Sequence, residues 1–421
     1  MSQSRLSQLA ETLIGSEIVK LGNAIRERKN RGENIYNFTI GDFDPAIFPI
    51  PAELEIEIIK AYKSHFTNYP AADGEADLRA AVAAFIKHRE GLDYAADEIQ
   101  IASGGRPLIY TIFKAIVDKG DKVIYAVPSW NNNHYAHMTD AEHCLIDAAP
   151  ENHFMPTAAD IAPHIPGATL VCLCTPQNPT GTTLTKEALT EICQLILDEN
   201  GRRGADEKKL YLLFDQMYWT LTYGEIEHYN PVSLFPAMKE FTIFVDGISK
   251  AFASTGVRVG WSLGPANVIA KMKALLSHLG AWAPMPEQKA VAKYLLMHEE
   301  VDGYLTHFKS ELEYRLHNIY DGIMQLKASG FAVDAVAPQA AIYLTVRFDL
   351  TGRLTASDTV LNTQEDVTEY LLSEAKLAIV PFYCFGATRD SAWYRLSVGT
   401  CKKEEIGGML DQLREALSKL K

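Results

Sequence analysis

The chain has 421 residues, 47% hydrophobic and 22% charged, the balance of a globular protein long enough for two domains. Its net charge of −13 argues against nucleic acid or an anionic membrane as partner, but not against small anions met by local positive charge. No run approaches the roughly 18 apolar residues of a membrane span; the polar start Met1 to Gln8 lacks a signal-peptide core, and six scattered cysteines without a C-x-x-C suit a reducing cytoplasm without disulfides.

Residues 9–31 have the period of one amphipathic helix, ending in the basic cluster Arg26 to Arg31, which reads as a solvated helix end. Tyr36 to Ile40 is a short strand leading into Gly41-Asp42-Phe43-Asp44-Pro45, a turn whose glycine allows close backbone approach to a ligand. Pro49-Ile50-Pro51 opens a helix over 52–65. The strand Ile99 to Ala102 runs into Ser103-Gly104-Gly105-Arg106 and then a helix over 108–117. Such a turn is an anion site, because free N–H groups and the positive end of the helix dipole point to one spot and Arg106 adds charge. It is not a P-loop, since no G-x-x-x-x-G-K-[ST] is present.

Strands follow at Lys122 to Val127, ended by Pro128-Ser129-Trp130, and at Ala168 to Cys174, which runs into Thr175-Pro176-Gln177-Asn178-Pro179-Thr180-Gly181. His134, His137 and His143 lack acidic or cysteine partners at metal-ligand spacing, so no metal is expected. After a helix over 186–199, the strand Leu210 to Phe214 ends at Asp215, with Tyr218 three residues on. The run Phe241 to Val245 is a buried strand, followed by a loop of small residues with Ser249 and Lys250, then a second strand over 257–263. A lysine there can be desolvated, its pKa lowered, and can form a Schiff base with an aldehyde. Arg258, eight residues on and flanked by glycines, suggests that the aldehyde is phosphorylated. The region 288–326 is helical and bridges two domains, 341–348 is β, and 354–366 reads as a mobile polar loop. A helix over 364–375, a strand over 377–381, the strand containing Trp393 to Val398 and a C-terminal helix from Lys403 complete the chain. Strands alternating with helices from 99 to 263 predict an α/β domain with a mostly parallel sheet and a ligand beyond the strand carboxyl ends.

Ser249-Lys250 with Gly256-x-Arg258-x-Gly260 resembles the cofactor-lysine signature of the class I/II aminotransferases, the fold-type I pyridoxal 5'-phosphate (PLP) enzymes of the aspartate aminotransferase superfamily. Tyr69-x-x-x-x-Gly74-x-x-x-Leu78-Arg79, Asn178-Pro179-Thr180-Gly181, Asp215-x-x-Tyr218 and Arg395-x-Ser397 resemble further landmarks of that family, in its order. The resemblance implies a PLP-dependent transferase fold: a large domain over 51–315 and a smaller α+β domain from 1–50 and 316–421. It implies that Lys250 carries PLP as a Schiff base and serves as general base, with Asp215 on the pyridine nitrogen and Tyr218 and Asn178 on the phenolic oxygen. Trp130 would stack on the ring. Gly105, Arg106, Ser249 and Arg258 would take the phosphate, with Tyr69 reaching the neighbouring site of a homodimer. Gly41, Trp130, Asn178 and Arg395 would bind substrate, Arg395 clamping its carboxylate. Where the family commonly has a phosphate-binding serine three residues before the lysine, this chain has Gly247. The implied activity is transfer of an amino group from an α-amino acid, aspartate being one candidate, to a 2-oxo acid such as 2-oxoglutarate. C–S lyase or other elimination chemistry on the same fold is the alternative. The side-chain specificity stays open: Arg26, Arg31 and Arg79 could meet a second carboxylate, while Tyr343 and Phe382 would suit an apolar donor.

Overall fold

A computed structural model describes residues 6–13, 15, 17–130 and 132–421; the polar segment Met1 to Arg5 lies outside them. Instead of one helix over 9–31, two form, Gln8–Thr12 and Glu17–Asn30. The Ser7 side chain accepts from the Ala10 N–H at the first N-terminus, and Leu13 leaves the helix at φ −71°, ψ 115°. Gly15 stands in the break, where a helix interior would lose about 1 kcal/mol relative to alanine.

β1 (Tyr36–Asn37) follows, and then the strands of a seven-stranded sheet: β2 (Ile99–Ala102), β3 (Lys122–Val127), β4 (Glu142–Asp147), β5 (Ala168–Cys174), β6 (Tyr211–Asp215), β7 (Thr242–Gly247) and β8 (Gly260–Leu263). Their spatial order is β2-β8-β7-β6-β5-β3-β4. All pairings are parallel except those of β8, which runs antiparallel to β2 and β7. The inner strands are mostly apolar because both faces are covered. Successive side chains enter opposite cores: Val123, Leu170, Cys172 and Leu213 pack under the helix Gly105–Ile116, while Ile124, Val171, Leu212 and Phe214 enter the core on the other face. β4, not read in the sequence, is a half-polar edge strand burying only Cys144 and Ile146.

β9 (Val333–Ala335), β10 (Tyr343–Phe348), β11 (Leu377–Ala378), β12 (Val380–Pro381) and β13 (Trp393–Ser397) complete the strands. β12-β13-β10-β9 form an antiparallel sheet, and β11 pairs in parallel with β1. Phe38, Phe43 and Phe48 from near the chain start share a core with this sheet. The 31-residue helix His298–Ala328 joins the two assemblies: Val301 and Leu305 enter the first core, Phe308, Leu312 and Leu316 the second. The segment expected to be a loose loop over 354–366 folds back on itself, with Thr355 N–H donating to Thr359 O at 2.9 Å and Leu361 N–H to Arg353 O at 3.0 Å. Thr363 then caps the helix Gln364–Ser373. No described helix is long and apolar enough to cross a membrane.

Candidate active site

The carboxyl ends of β3, β5, β6 and β7 meet at one cavity of about 660 Å³, closed from the other side by Gly41 and by Tyr343 and Arg395 of β10 and β13. Of the residues singled out in the sequence, Gly41, Gly105, Arg106, Trp130, Asn178, Asp215, Tyr218, Ser249, Lys250, Arg258 and Arg395 line it. Tyr69 does not: it is 83% exposed on the surface, edge-on to Trp282 at 5.5 Å. Lys250 sits in a one-turn helix, Ile248–Ala251, rather than in a loop.

The Lys250 amine donates to Gly41 O at 2.6 Å and lies over the rings of Phe43 and Tyr218. Burial brings its pKa down to about 8; Asp42 pulls it upward, while Arg395, Arg106 and Arg258 push it further down. Asp215 stands at the end of β6, and burial pushes its carboxyl up to about 6 against one stabilising bond from Met217 N–H. Tyr218 Oη meets Tyr343 Oη at 2.6 Å, and burial, then this neighbour, raises the Tyr218 phenol well above its ordinary value.

The glycine turn and Arg258 form one unit. The Arg258 guanidinium donates to Ser103 O at 2.6 Å and Thr255 O at 2.8 Å, lying against Gly104. Gly104 has φ +85°, and a Cβ there would strike the guanidinium, so only glycine fits. Gly247 has an equally direct cause: a Cβ would lie 2.8 Å from Gly260 Cα and from Val259 O, so the crossing of β8 leaves no room for a serine. Arg395 is 2% exposed and donates to Asn178 Oδ1 at 3.0 Å and Thr39 O at 2.7 Å. It lies between the rings of Tyr343 and Phe385, at 4.7 and 4.9 Å. Arg106 stacks over Trp130 at 5.4 Å and makes no hydrogen bond or ion pair among the described residues.

Several other residues line the cavity, Asp42 and Tyr343 among them. Asp42 accepts from Thr255 Oγ1 at 2.6 Å, tying the Gly41 segment to the lysine loop. Tyr343 was weighed only as a substrate-side aromatic; its hydroxyl in fact reaches Tyr218 and the space beside Gly41. Their neighbours are more than 100 residues away in sequence, so no spacing announces them. Conversely, Phe382 packs on Phe154 at 5.1 Å and does not line the cavity. Arg79 is taken by Ala96 O and Asp73, and Arg31 lies near Glu27 at the surface.

The family model of aminotransferase class I and II matches residues 33–413. The chain belongs to this family. Aspartate aminotransferase of Geobacillus stearothermophilus is 28% identical over 399 residues, covering 94% of this chain and 95% of its own. A probable aspartate/prephenate aminotransferase of Rickettsia felis is 28% identical over 382 residues, covering 90% and 88%. Among solved structures, aspartate aminotransferase from Rhizobium meliloti superposes with a TM-score of 0.88 at 25% identity over 99% of this chain and 100% of its own. The enzyme from Thermus thermophilus with maleate gives 0.86 at 25% over 98% and 100%. The protein is thus a PLP-dependent aminotransferase of fold type I, acting on amino acids and 2-oxo acids.

The cavity fits that cofactor. It offers an amine of lowered basicity for an aldehyde, a carboxylate without a cation partner for a pyridine nitrogen, and the N-terminus of the helix Gly105–Ile116 with Arg106 and Arg258 for a phosphate. Arg395 Nε is buried and has no hydrogen-bond partner among the described residues, so the clamp has unspent donor capacity.

Proposed function

We propose that this aminotransferase takes aspartate as amino donor and 2-oxoglutarate as acceptor, alternating through Lys250. The observation carrying this reading is the juxtaposition, in one cavity, of the Lys250 amine, the Asp215 carboxyl and the buried Arg395 fork. PLP, when bound, supplies the aldehyde for amine exchange and a ring that withdraws electrons from the bond being broken. Lys250 is the residue that would hold it covalently, through its side-chain amine. Arg395 binds the donor's α-carboxylate through two parallel hydrogen bonds, helped by the Gly41 backbone and Asn178, and so aims Cα at the freed Lys250 amine. That amine then moves the Cα proton; a pKa of about 8 leaves a usable fraction neutral near pH 7. Asp215 holds a proton at the ring nitrogen, Tyr218 and Asn178 address the phenolic oxygen, and Trp130 covers the ring face. Gly105, Arg106, Ser249 and Arg258 take the phosphate, Ser249 offering a hydroxyl where Gly247 has none. The dicarboxylic substrate is supported by the kinship with aspartate aminotransferases and by the maleate, a four-carbon dicarboxylate, that accompanies the Thermus enzyme.

The same reading divides the chain at 1–50, 51–315 and 316–421, supported by the separate apolar cores. It pairs two copies through the exposed apolar stripe of Ile56, Ile59, Phe66 and Tyr69, bringing Tyr69 to the partner's phosphate. Its setting is the cytoplasm, which suits the scattered cysteines. The test is the visible absorption of holoenzyme given aspartate alone. Bleaching that 2-oxoglutarate reverses supports the half-reactions. Ammonia and pyruvate released from sulfur amino acids without an acceptor would favour elimination instead.

A further inference from the structure

Directly behind the active site lies a second cavity of about 900 Å³, and one turn separates the two. Asp215, Met217 and Tyr218 face the first, Trp219 and Thr220 the second. Gln216, fully buried between them, is held at both ends of its amide: Nε2 donates to Glu90 Oε1 at 2.8 Å, and Oε1 meets His228 Nε2 at 3.3 Å. Asn230 Nδ2 reaches Glu90 Oε2 at 3.5 Å. On the other flank, Asp246 accepts from the Trp219 indole N–H at 2.9 Å and from Gly247 N–H at 2.7 Å. Asp246 therefore links the turn carrying Tyr218 to the strand end that leads into Lys250.

Both carboxyl groups are buried, the Asp246 residue to 1% exposure and the Glu90 side chain to 4%. Among the described residues, neither has a lysine or arginine within ion-pair distance. Arg89, next to Glu90 in the chain, is paired with Asp302 instead. The nearest base to Glu90 is His228, at 3.9 Å, and burial holds its imidazole neutral, with a pKa of about 3. A buried carboxyl without a cation is costly, and nothing in the mechanism above uses either one.

We propose that Glu90 and Asp246 are positioning residues of the aminotransferase reaction, two buried carboxyl groups that clamp the Gln216–Trp219 turn from behind and hold Asp215 and Tyr218 in register with the Lys250 turn. Burial pushes Glu90 to about 8, with Asp246 adding to it, and pushes Asp246 to about 7, with Asp215 adding to it. Asp215, the lowest of the three, gives up its proton first, so the negative charge of this interior begins at the wall that meets the cofactor. Ionisation of the clamp at alkaline pH sets carboxylate against carboxylate across the turn. The groups facing Glu90 are Gln216, Asn230, His228, Tyr94 and Asp246; those facing Asp246 are Trp219, Trp261, the Gly247 N–H, Asp215 and Glu90.

The inference rests on the roles given above to Tyr218 and Lys250, and Tyr218→Phe is measured beside the clamp variants to keep the two apart. Trp219→Phe keeps an aromatic side chain but deletes the indole N–H together with its five-membered ring; Glu90→Gln keeps the acceptor for Gln216 and deletes the ionisation. In PLP-loaded enzyme, Trp219→Phe is expected to lower kcat about tenfold with KM changed less than twofold, and to weaken the visible circular dichroism of the cofactor. Glu90→Gln is expected to remove the upper step, near pH 8, from the alkaline fall of kcat and from tryptophan fluorescence, leaving the lower step of Asp246. Wild-type kcat, dichroism and alkaline limb in both folded variants, while Tyr218→Phe loses activity, would overturn the clamp and leave the catalytic reading standing. Wild-type behaviour of Tyr218→Phe itself would overturn both. If Glu90→Gln does not fold, Trp219→Phe alone decides, because a purely structural role would lower its melting temperature without splitting kcat from KM.

Discussion

At Arg395, geometry and charge act together and can be separated by one substitution. Lysine keeps the positive charge but loses the planar fork, the bond to Asn178 and the stacking between Tyr343 and Phe385. Arg395→Lys should lower kcat/KM for aspartate by roughly 100-fold, about 2.7 kcal/mol of lost transition-state binding, while PLP affinity stays within a few fold; steady-state kinetics and a cofactor titration check both. Arg106, the cavity guanidinium without a hydrogen bond, is assigned to the phosphate, so Arg106→Gln should raise the PLP dissociation constant about tenfold. If PLP affinity were untouched and only dicarboxylic substrates suffered, Arg106 would belong to the substrate's second carboxylate instead. That Lys250, Arg258 and Asp215 share one cavity was legible in the sequence, because the covalent, phosphate and ring-nitrogen roles proposed for them each demand one residue type near a strand end. Asp42 and Tyr343 were not, because they reach the cavity from separate elements whose approach is decided only by packing.

Among the elements, the apolar parallel strands announced themselves, since a strand buried on both faces leaves a continuous hydrophobic run. β4 did not, because an edge strand burying Cys144 and Ile146 alone has the composition of a loop. The N-terminal helix misled in the opposite sense: the apolar period continues through residues 13–16, but Leu13 is extended and Gly15 follows. The glycine turn between β2 and the helix Gly105–Ile116 is the element whose conformation is most dictated by its residues. Gly104→Ala places a side chain at φ +85° and against Arg258, so it must displace the guanidinium that braces the turn. Backbone strain alone costs on the order of 1–2 kcal/mol. The expected result is a PLP dissociation constant raised at least tenfold and a lower melting temperature, read by fluorescence titration and calorimetry; unchanged affinity would mean that the turn does not hold the phosphate.

Stability of the whole molecule should carry the signature of its buried acids. Glu90 and Asp246 keep their protons in the folded chain up to about pH 8 and 7, whereas the unfolded chain releases them near pH 4 to 4.5. Between those limits the folded state binds more protons, so these groups lower stability as pH rises. Glu90→Gln removes one share of that slope. Its melting temperature should match wild type near pH 4 and exceed it by about 2–6 °C at pH 8. A difference that shrinks with rising pH would show that Glu90 is ionised and paired in the folded chain.

Assembly, too, is a property of the whole molecule, and it turns on Tyr69. A tyrosine 83% exposed beside a stripe of exposed Ile56, Ile59 and Phe66 has no work in a single copy, whereas a two-fold partner would cover the stripe and receive the hydroxyl. Mixing two inactive variants decides whether it acts across the interface. Suppose Tyr69→Ala and Lys250→Ala chains are unfolded together and refolded with PLP. In a mixed dimer, the site with an intact Lys250 receives its Tyr69 from the partner, so both groups are wild type there; the other site lacks both. Random pairing makes about half the dimers mixed with one working site each, so about a quarter of wild-type activity should return. If Tyr69 serves the site of its own chain, each site in the mixed dimer lacks one group, and mixing restores nothing.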